Sequence, residues 1–114
     1  MPTRTDLLQG TLDLLVLKAL LLGPSHGWAI SKRIRQLSDD VLEVGQGSLY
    51  PALYRLEHAG FLGSETRIVA GRTRRTYAIT ASGRAALRER QAAWQKLVRS
   101  IAAVMGEGPV PDHG

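Results

Sequence analysis

The residues with the clearest chemical potential lie in the stretch GQGSLYPALYRLEHAG, residues 45–60. Leucines at 49, 53 and 56 recur at the spacing of one apolar helical face. The remaining faces carry an amide, hydroxyls and a guanidinium, which are groups that pair with base edges and phosphates. We therefore expect a helix that binds nucleic acid through the side chains Gln46, Ser48, Tyr50, Tyr54 and Arg55.

Pro51 interrupts this pattern and bears on where the helix begins. A proline is tolerated in the first turn of a helix, where its missing N–H would be unpaired in any case. The pattern thus predicts a helix that begins close to Ser48, with the Ser48 hydroxyl as its cap. For Tyr50, contact with DNA and packing against a neighbouring hairpin are both open interpretations.

Arginines concentrate after this helix. Six of them, and no acidic side chain, lie between Glu65 and Glu89, within a chain of net charge +5. The segments FLGSETRIV and RTYAIT favour strands, and Ala70-Gly71 between them predicts a hairpin turn with an arginine-rich tip. A solvated basic face is one interpretation, and phosphate binding is the other. The candidates for phosphate binding are Arg72, Arg74 and Arg75 on the hairpin, with Lys32 and Arg33 in second place.

Two helices are expected before this region. GTLDLLVLKALLLG predicts a helix with Thr11 as N-cap and Gly23 as its end, and it is apolar nearly all round. SHGWAISKRIRQLS predicts a second helix whose apolar stripe is Trp28, Ile30, Ile34 and Leu37. Three helices followed by a hairpin is the order of a winged helix-turn-helix, a mostly α fold with a small β-hairpin, α+β in class.

The last predicted helix starts near TASGRAALRERQ, with Thr80 or Ser82 as its cap. Its apolar positions alternate at spacings of four and three, as in a coiled coil. We interpret it as a dimerisation arm, and packing back onto its own domain is the alternative. The predicted organisation is a DNA-binding domain over 1–80, a dimerisation helix over 81–105 and a disordered tail over 106–114. The predicted dimerisation residues are Leu87, Trp94, Val98, Ile101 and Met105.

Composition excludes several other classes of protein. The chain has no cysteine, and its histidines His26, His58 and His113 are not at metal-ligand spacing. It contains neither a phosphate-binding loop nor a recognisable catalytic group, so we expect neither enzyme activity nor a cofactor or metal. The apolar run over 12–22 is too short for a bilayer and contains Asp13 and Lys18. We therefore expect a cytoplasmic protein without a membrane partner.

The segments LDLLVLK, HGW, GSLYPALYRLE and RTYAIT, in this order, resemble the PadR family of bacterial transcriptional regulators. The resemblance covers about residues 7 to 100 and implies a winged helix-turn-helix, a homodimer and repression through a palindromic operator. The family's YP pair falls on Tyr50 and Pro51, and its common HGY is HGW here, at Trp28. Compact members that sense drugs bind flat aromatic compounds through a tryptophan, which makes Trp94 a candidate for effector binding; packing in the dimer seam is the alternative.

The function predicted from these observations is a homodimeric repressor that binds double-stranded DNA near its own or neighbouring genes. A protein-interaction module on the same scaffold, without sequence-specific DNA binding, is the competing hypothesis, because fold alone does not decide function.

Overall fold

The computed structural model describes residues 4–106, which form helices and a small antiparallel sheet. In chain order the elements are α1 (Arg4–Leu20), β1 (Ser25–His26), α2 (Gly27–Leu37), α3 (Gln46–His58), β2 (Leu62–Val69), β3 (Arg72–Ile79) and α4 (Ala81–Met105). The predicted α+β class and the order of three helices, hairpin and final helix are confirmed. Within this range no helix is long and apolar enough to cross a membrane.

Helix α1 begins earlier than predicted. Thr11 lies inside the helix instead of capping it, since α1 already starts at Arg4. The sequence pattern was misleading because a threonine before an apolar run resembles a cap wherever the helix starts. The helix ends at Leu20, and Gly23, at φ +129, turns the chain just before Pro24.

The core lies where α1, α2 and α3 cross, with the sheet on one side. Val16 and Leu17 of α1, Ile30 of α2, and Leu49 and Leu53 of α3 are fully buried there. Val16 and Leu17 are one residue apart and Leu49 and Leu53 are four apart, so each pair lies on one side of its helix.

The predicted stripe of α2 is correct in part. Ile30 and Ile34 are buried, but Trp28 and Leu37 are each 60% exposed. Two residues correspond to about 200° around a helix, so Trp28 points away from the face that Ile30 buries. Leu37 is the last residue of the helix and lies at the edge of the core.

The start of α3 differs from the prediction. The helix begins at Gln46 with Gly45 as its N-cap, so Ser48 is the third helical residue and caps nothing. Pro51 therefore lies in the second turn, where its missing N–H leaves the Gly47 carbonyl without the usual helical donor. The backbone N–H groups of Ser48 and Leu49 both donate to the Gly45 carbonyl, which extends the helix by one turn ahead of the proline.

The end of α3 follows the prediction at Gly60. This glycine has φ +83, and its N–H donates to the Glu57 carbonyl while the Phe61 N–H donates to the Leu56 carbonyl. This pair of bonds is the Schellman motif, which directs the chain from α3 into β2.

The hairpin is confirmed with its predicted turn. Val69 pairs with Arg72, which leaves Ala70 and Gly71 as a two-residue loop, both at positive φ. Positive φ at both positions is the type I′ geometry that suits the twist of a hairpin. The short strand β1 pairs with the other edge of β3 and gives the order β1-β3-β2. Two residues are too few to show an alternating pattern, so the sequence did not predict this strand.

Helix α4 is capped by Thr80, one of the two predicted caps. Its hydroxyl accepts from the Gly83 N–H at 3.0 Å and donates to the Gly60 carbonyl at 2.7 Å. Leu87 is 3% exposed and belongs to the core of its own chain, so it is not available for the predicted dimer seam. The second half of α4 projects from the core and contributes to overall dimensions of 66 × 27 × 25 Å.

Candidate nucleic-acid interface

The first turn of α3 is open to solvent. Gln46, Gly47 and Ser48 are exposed, the N-cap Gly45 has no side chain that could cap the helix, and no acidic residue lies in the first turn. Helix α2 likewise begins at His26 without a side-chain cap. Free N–H groups and the positive end of the helix dipole attract phosphate oxygens at such termini. The exposed first turn of α3 therefore suits an anionic backbone, whereas Gly27 at the start of α2 is buried.

Tyr50 rests on the beginning of α2. A Cβ atom added to Gly27 would lie 2.6 Å from the Tyr50 hydroxyl oxygen, so only a glycine admits the ring in this position. The side chain is nevertheless 48% exposed. Tyr50 thus packs against α2, and its open edge leaves DNA contact as a prediction. This contact gives a physical reason for a glycine at position 27 opposite the tyrosine at position 50.

Tyr54 and His58 form the outward aromatic face of α3. Their rings are stacked, with centroids 6.0 Å apart and planes 7° apart, and Tyr54 is 70% exposed. The stack is one helical turn beyond Tyr50. It gives α3 a flat, exposed surface on the side opposite its leucines.

Arg55 does not join this face, contrary to the prediction. Its Nη2 atom lies 2.7 Å from Asp13 Oδ1 on α1, and both side chains are largely buried. Its Nε atom is also buried and has no hydrogen-bond partner within residues 4–106. Breaking a half-buried ion pair leaves an unpaired charge, which is costly. Arg55 therefore joins α3 to α1, and we no longer count it among the candidate DNA contacts.

Arg33 is also withdrawn as a phosphate contact. Its Nη1 donates to the carbonyls of Gly23 at 2.6 Å and Ala19 at 3.3 Å, and its Nη2 lies 3.4 Å from the Pro24 carbonyl. A cation at the C-terminal end of a helix satisfies carbonyls that lack partners in the helix. The guanidinium thus holds the end of α1 to α2.

Lys32 remains exposed and lies beside the start of α3. Its Nζ is 5.2 Å from the centre of the Trp28 ring, and both residues line a cleft of about 560 Å³ whose lining also includes Gln46. The stack keeps the ammonium near the first turn of α3. Lys32 therefore retains its predicted place among the cationic groups around this helix.

The hairpin, which we call the wing (residues 62–79), divides its arginines between two faces. Arg72 and Arg74 are exposed on one face, and Arg74 lies directly opposite Arg67 in the register. Like charges in directly opposed positions destabilise a hairpin. Arg67 is partly compensated by Glu65 at 2.9 Å, and both are mostly exposed. An anion on this face would relieve the remaining repulsion.

Arg75 is on the other face of the wing, which turns toward α3. Its Nη1 lies 3.8 Å from Glu57 Oε1, and a little over half of its side chain is exposed. Burial raises the pKa of Tyr77, and the neighbouring Arg75 cation opposes that shift. The three predicted wing arginines therefore have different surroundings, since Arg75 interacts within the protein and Arg72 and Arg74 face solvent.

His26 stands where α2 and the sheet meet. Burial lowers the pKa of its imidazole, and the Arg74 and Arg33 cations lower it further. The imidazole is therefore neutral at pH 7 and adds no charge to the surface near the wing. His26 pairs with Thr76 across β1 and β3, which fixes the start of α2 to the wing.

The second half of α4 carries an exposed apolar stripe. Its members are between 41% and 86% exposed and recur at spacings of one, three and four, so they share one side of the helix. Four belong to the predicted seam, and two neighbours extend it. We call this surface the α4 stripe: Trp94, Leu97, Val98, Ile101, Val104 and Met105.

Sequence patterns missed three residues around the site. Asp13 was noted only as a charge inside an apolar run, although it holds Arg55. Glu57 was given no role, although it faces the wing, and the role of Gly27 depends on Tyr50. An acid within an apolar run is the one feature that could have indicated a buried partner.

A helix-turn-helix followed by a two-stranded wing defines the chain as a winged-helix protein. The model of the Transcriptional regulator PadR-like family matches residues 16–89, which is more than half of the chain. The chain belongs to this family, as its sequence motifs predicted. Members of the family are transcriptional regulators and not enzymes.

Similar proteins agree with this assignment. A transcriptional regulator of Mycobacterium tuberculosis is 48% identical over 67 residues, which are 59% of this chain and 63% of that protein, so the match spans less than two thirds of the relative. A transcriptional regulator from Clostridium thermocellum has a similar structure, with TM-score 0.78 and 30% identity over 86% of this chain and 96% of that one. A PadR family regulator from Eggerthella lenta has TM-score 0.74 and 33% identity over 91% and 89%.

Proposed function

We propose that the protein is a homodimeric repressor that binds a palindromic operator in double-stranded DNA, near its own or neighbouring genes. The observation that carries this proposal is the exposed first turn of α3, which shares a cleft with the exposed Lys32 and is followed in the chain by a wing with the exposed Arg72 and Arg74. DNA binding takes place in the cytoplasm. Residues 1–80 would form the DNA-binding unit and residues 81–105 the dimerisation arm.

In this proposal α3 enters the major groove with its N-terminal end first. Gln46 and Ser48 then face base edges, and the exposed edges of Tyr50 and Tyr54 lie against bases or sugars. Gln46 is suited to adenine because its amide can pair with both N6 and N7. Sequence selectivity should therefore depend most on Gln46, the first residue of the helix.

The cations around α3 contact the phosphates. Lys32 and the wing residues Arg72 and Arg74 are exposed and can each neutralise one phosphate. Arg75 contributes less, because Glu57 already faces its guanidinium. These contacts would add affinity on any sequence and would orient α3 in the groove.

Dimerisation is supported by the α4 stripe. Six large apolar side chains exposed within one half of a helix are more than a folded monomer ordinarily leaves in contact with water. A second copy covers them with coiled-coil spacing. We assign the half-exposed indole of Trp94 to this seam; a flat aromatic effector bound between the subunits would use the same indole. The predicted tail spans 106–114. Gly106 ends α4 in the left-handed conformation, and residues 107–114 lie outside the described residues.

The dimer places the two α3 helices in successive major grooves, about 34 Å apart. A change in the relative orientation of the two DNA-binding units would then release the operator. Such a change can come from an effector or from another event at the α4 stripe.

A binding titration on the DNA upstream of the protein's own gene tests this proposal. Fluorescence anisotropy should show retention of that duplex over a shuffled duplex of equal composition, with an affinity that falls steeply as salt increases. Equal affinity for the two duplexes at moderate salt would contradict the repressor and favour the protein-interaction module.

A further inference from the structure

Glu57 is an acidic residue on the DNA-binding helix that both strands of the wing contact. Its Oε2 atom accepts a hydrogen bond from the Ser64 hydroxyl of β2, while its Oε1 atom lies 3.8 Å from Arg75 Nη1 of β3. Only 32% of its side chain is exposed. Each carboxylate oxygen thus faces a different strand of the wing.

Ser64 and Arg75 reach Glu57 because the register places them on one face. Ser64 pairs with Tyr77, and Arg75 is two residues before Tyr77, so all three side chains point to the same side of the hairpin. Tyr77 is 6% exposed, which identifies that side as the one packed on the helices. The contact with Glu57 therefore forms at the base of the wing.

Beyond this base the described part of the wing is open to solvent. Every residue from 65 to 75 is exposed. Strand residues rise about 3.4 Å each, so the tip at Val69 lies roughly 17 Å from Ser64. A rotation of about 10° at the base would move the tip by roughly 3 Å over that length, which is enough to lose a contact between an arginine and a phosphate.

We propose that Glu57 is a positioning residue that sets the angle between α3 and the wing and so places the wing arginines on the DNA backbone. This inference rests on the proposed function and adds a role for a residue that makes no DNA contact itself. The carboxylate fixes β2 through Ser64 and β3 through Arg75, which leaves Arg72 and Arg74 to the phosphates.

Charge alone predicts the opposite effect for a substitution here. Removing an acid close to a DNA-binding surface lowers the repulsion of phosphate and should tighten binding. If Glu57 positions the wing, its removal should weaken binding although the protein becomes more positive. The sign of the change therefore separates the two roles.

Glu57→Ala and Glu65→Gln form a matched pair for this test. Both remove one negative charge, but Glu65 is about 70% exposed on the wing, and its ion-pair partner among the described residues is the equally exposed Arg67. With the upstream duplex, Glu57→Ala should lower affinity by about tenfold or more and reduce the salt slope, because phosphate contacts are lost. Glu65→Gln should bind as tightly as the wild type or more tightly. Tighter or unchanged binding by Glu57→Ala, or an unchanged salt slope, would overturn the proposal.

Glu57→Gln provides a second variant in case the alanine variant unfolds. Its amide oxygen still accepts from Ser64, but its attraction to Arg75 is lost, so affinity should fall between the wild type and Glu57→Ala. Thermal melting followed by circular dichroism verifies that each variant is folded. A folded Glu57→Gln with wild-type affinity and salt slope counts against the role of the carboxylate charge.

A distance measurement tests the same inference without DNA. The chain has no cysteine, so a variant with both Ala70→Cys in the turn and Gln36→Cys on α2 carries spin labels at these two positions alone. The labelled chain is diluted into unlabelled chain so that distances between subunits do not contribute. The distribution should broaden or shift by about 3 Å in Glu57→Ala, and an unchanged distribution would refute the positioning role. Because no DNA is present, this result is independent of whether the operator hypothesis holds.

Discussion

Replacing Arg74 by alanine tests whether the wing contributes to DNA binding, and the expected loss of affinity can be calculated. Arg74 is exposed, and its nearest cross-strand neighbour is another cation, Arg67. Its removal should therefore cost the free protein no stability and should relieve a repulsion. Any loss of affinity in this variant then comes from contacts with DNA.

The magnitude follows from counterion release. Each phosphate neutralised contributes about 0.9 to the slope of log K against log salt, and a dimer carries two copies of Arg74, so the slope should fall by about 1.8. At about 0.15 M salt this corresponds to a loss of roughly 30-fold in affinity, or about 2 kcal/mol. The upstream and shuffled duplexes should lose affinity by the same factor, because a phosphate contact carries no sequence information.

The assay is anisotropy of labelled duplexes at four or more salt concentrations, with Arg99→Ala as the control. Arg99 is exposed on the projecting half of α4, and its removal changes the net charge by the same amount. Its slope should equal that of the wild type. If Arg74→Ala keeps the wild-type slope, or if Arg99→Ala loses as much, the wing does not contact phosphate and the calculation fails.

Three further changes address the dimer, the α4 junction and the hairpin turn. Replacing Val98 and Ile101 of the α4 stripe by glutamate should yield monomers in sedimentation experiments, whereas Ser100→Glu should stay dimeric; a dimer that persists in the double variant would place the interface elsewhere. Gly83→Ala should lower the free energy of unfolding in urea by about 3 kcal/mol or more, because the new Cβ would lie 2.1 Å from a backbone carbonyl oxygen that cannot move aside. Ala70→Gly should raise it by up to about 1 kcal/mol, since φ at this position is +52, and a lower stability would mean that the turn is not strained.

Local patterns predicted the elements of this chain because their physical causes are local. The leucines of α3, the Ala70-Gly71 turn and the Thr80 cap depend on neighbours within a few residues, and each is found where the sequence indicated. Helix starts were less predictable. Thr11 and Ser48 both resemble caps, but the helices continue past them because the residues before them also adopt helical geometry.

The sequence predicted more cations on the DNA-binding surface than the structure leaves exposed there. Helical periodicity places Arg55 on an outer face, and nothing near it in the sequence shows that Asp13, on another helix, will face it. Arg33 is similar, since its acceptors are carbonyls at the end of α1 and in the turn that follows, and they become its partners only through the packing of α1 against α2. Both arginines are removed from the surface by contacts between helices that are far apart in the chain.

Sequence by itself determined the class of the protein, the order of its elements, its family and the basic character of the hairpin, because these depend on composition, spacing and motif. Only the tertiary structure decided which cations stay exposed, that Leu87 belongs to the core while the rest of the predicted seam is exposed, and that Tyr50 packs on Gly27. It also brought Glu57 to the base of the wing. The physical reason is the same in each case: the partner of a side chain is fixed by the packing of distant segments, and periodicity within one segment carries no information about it.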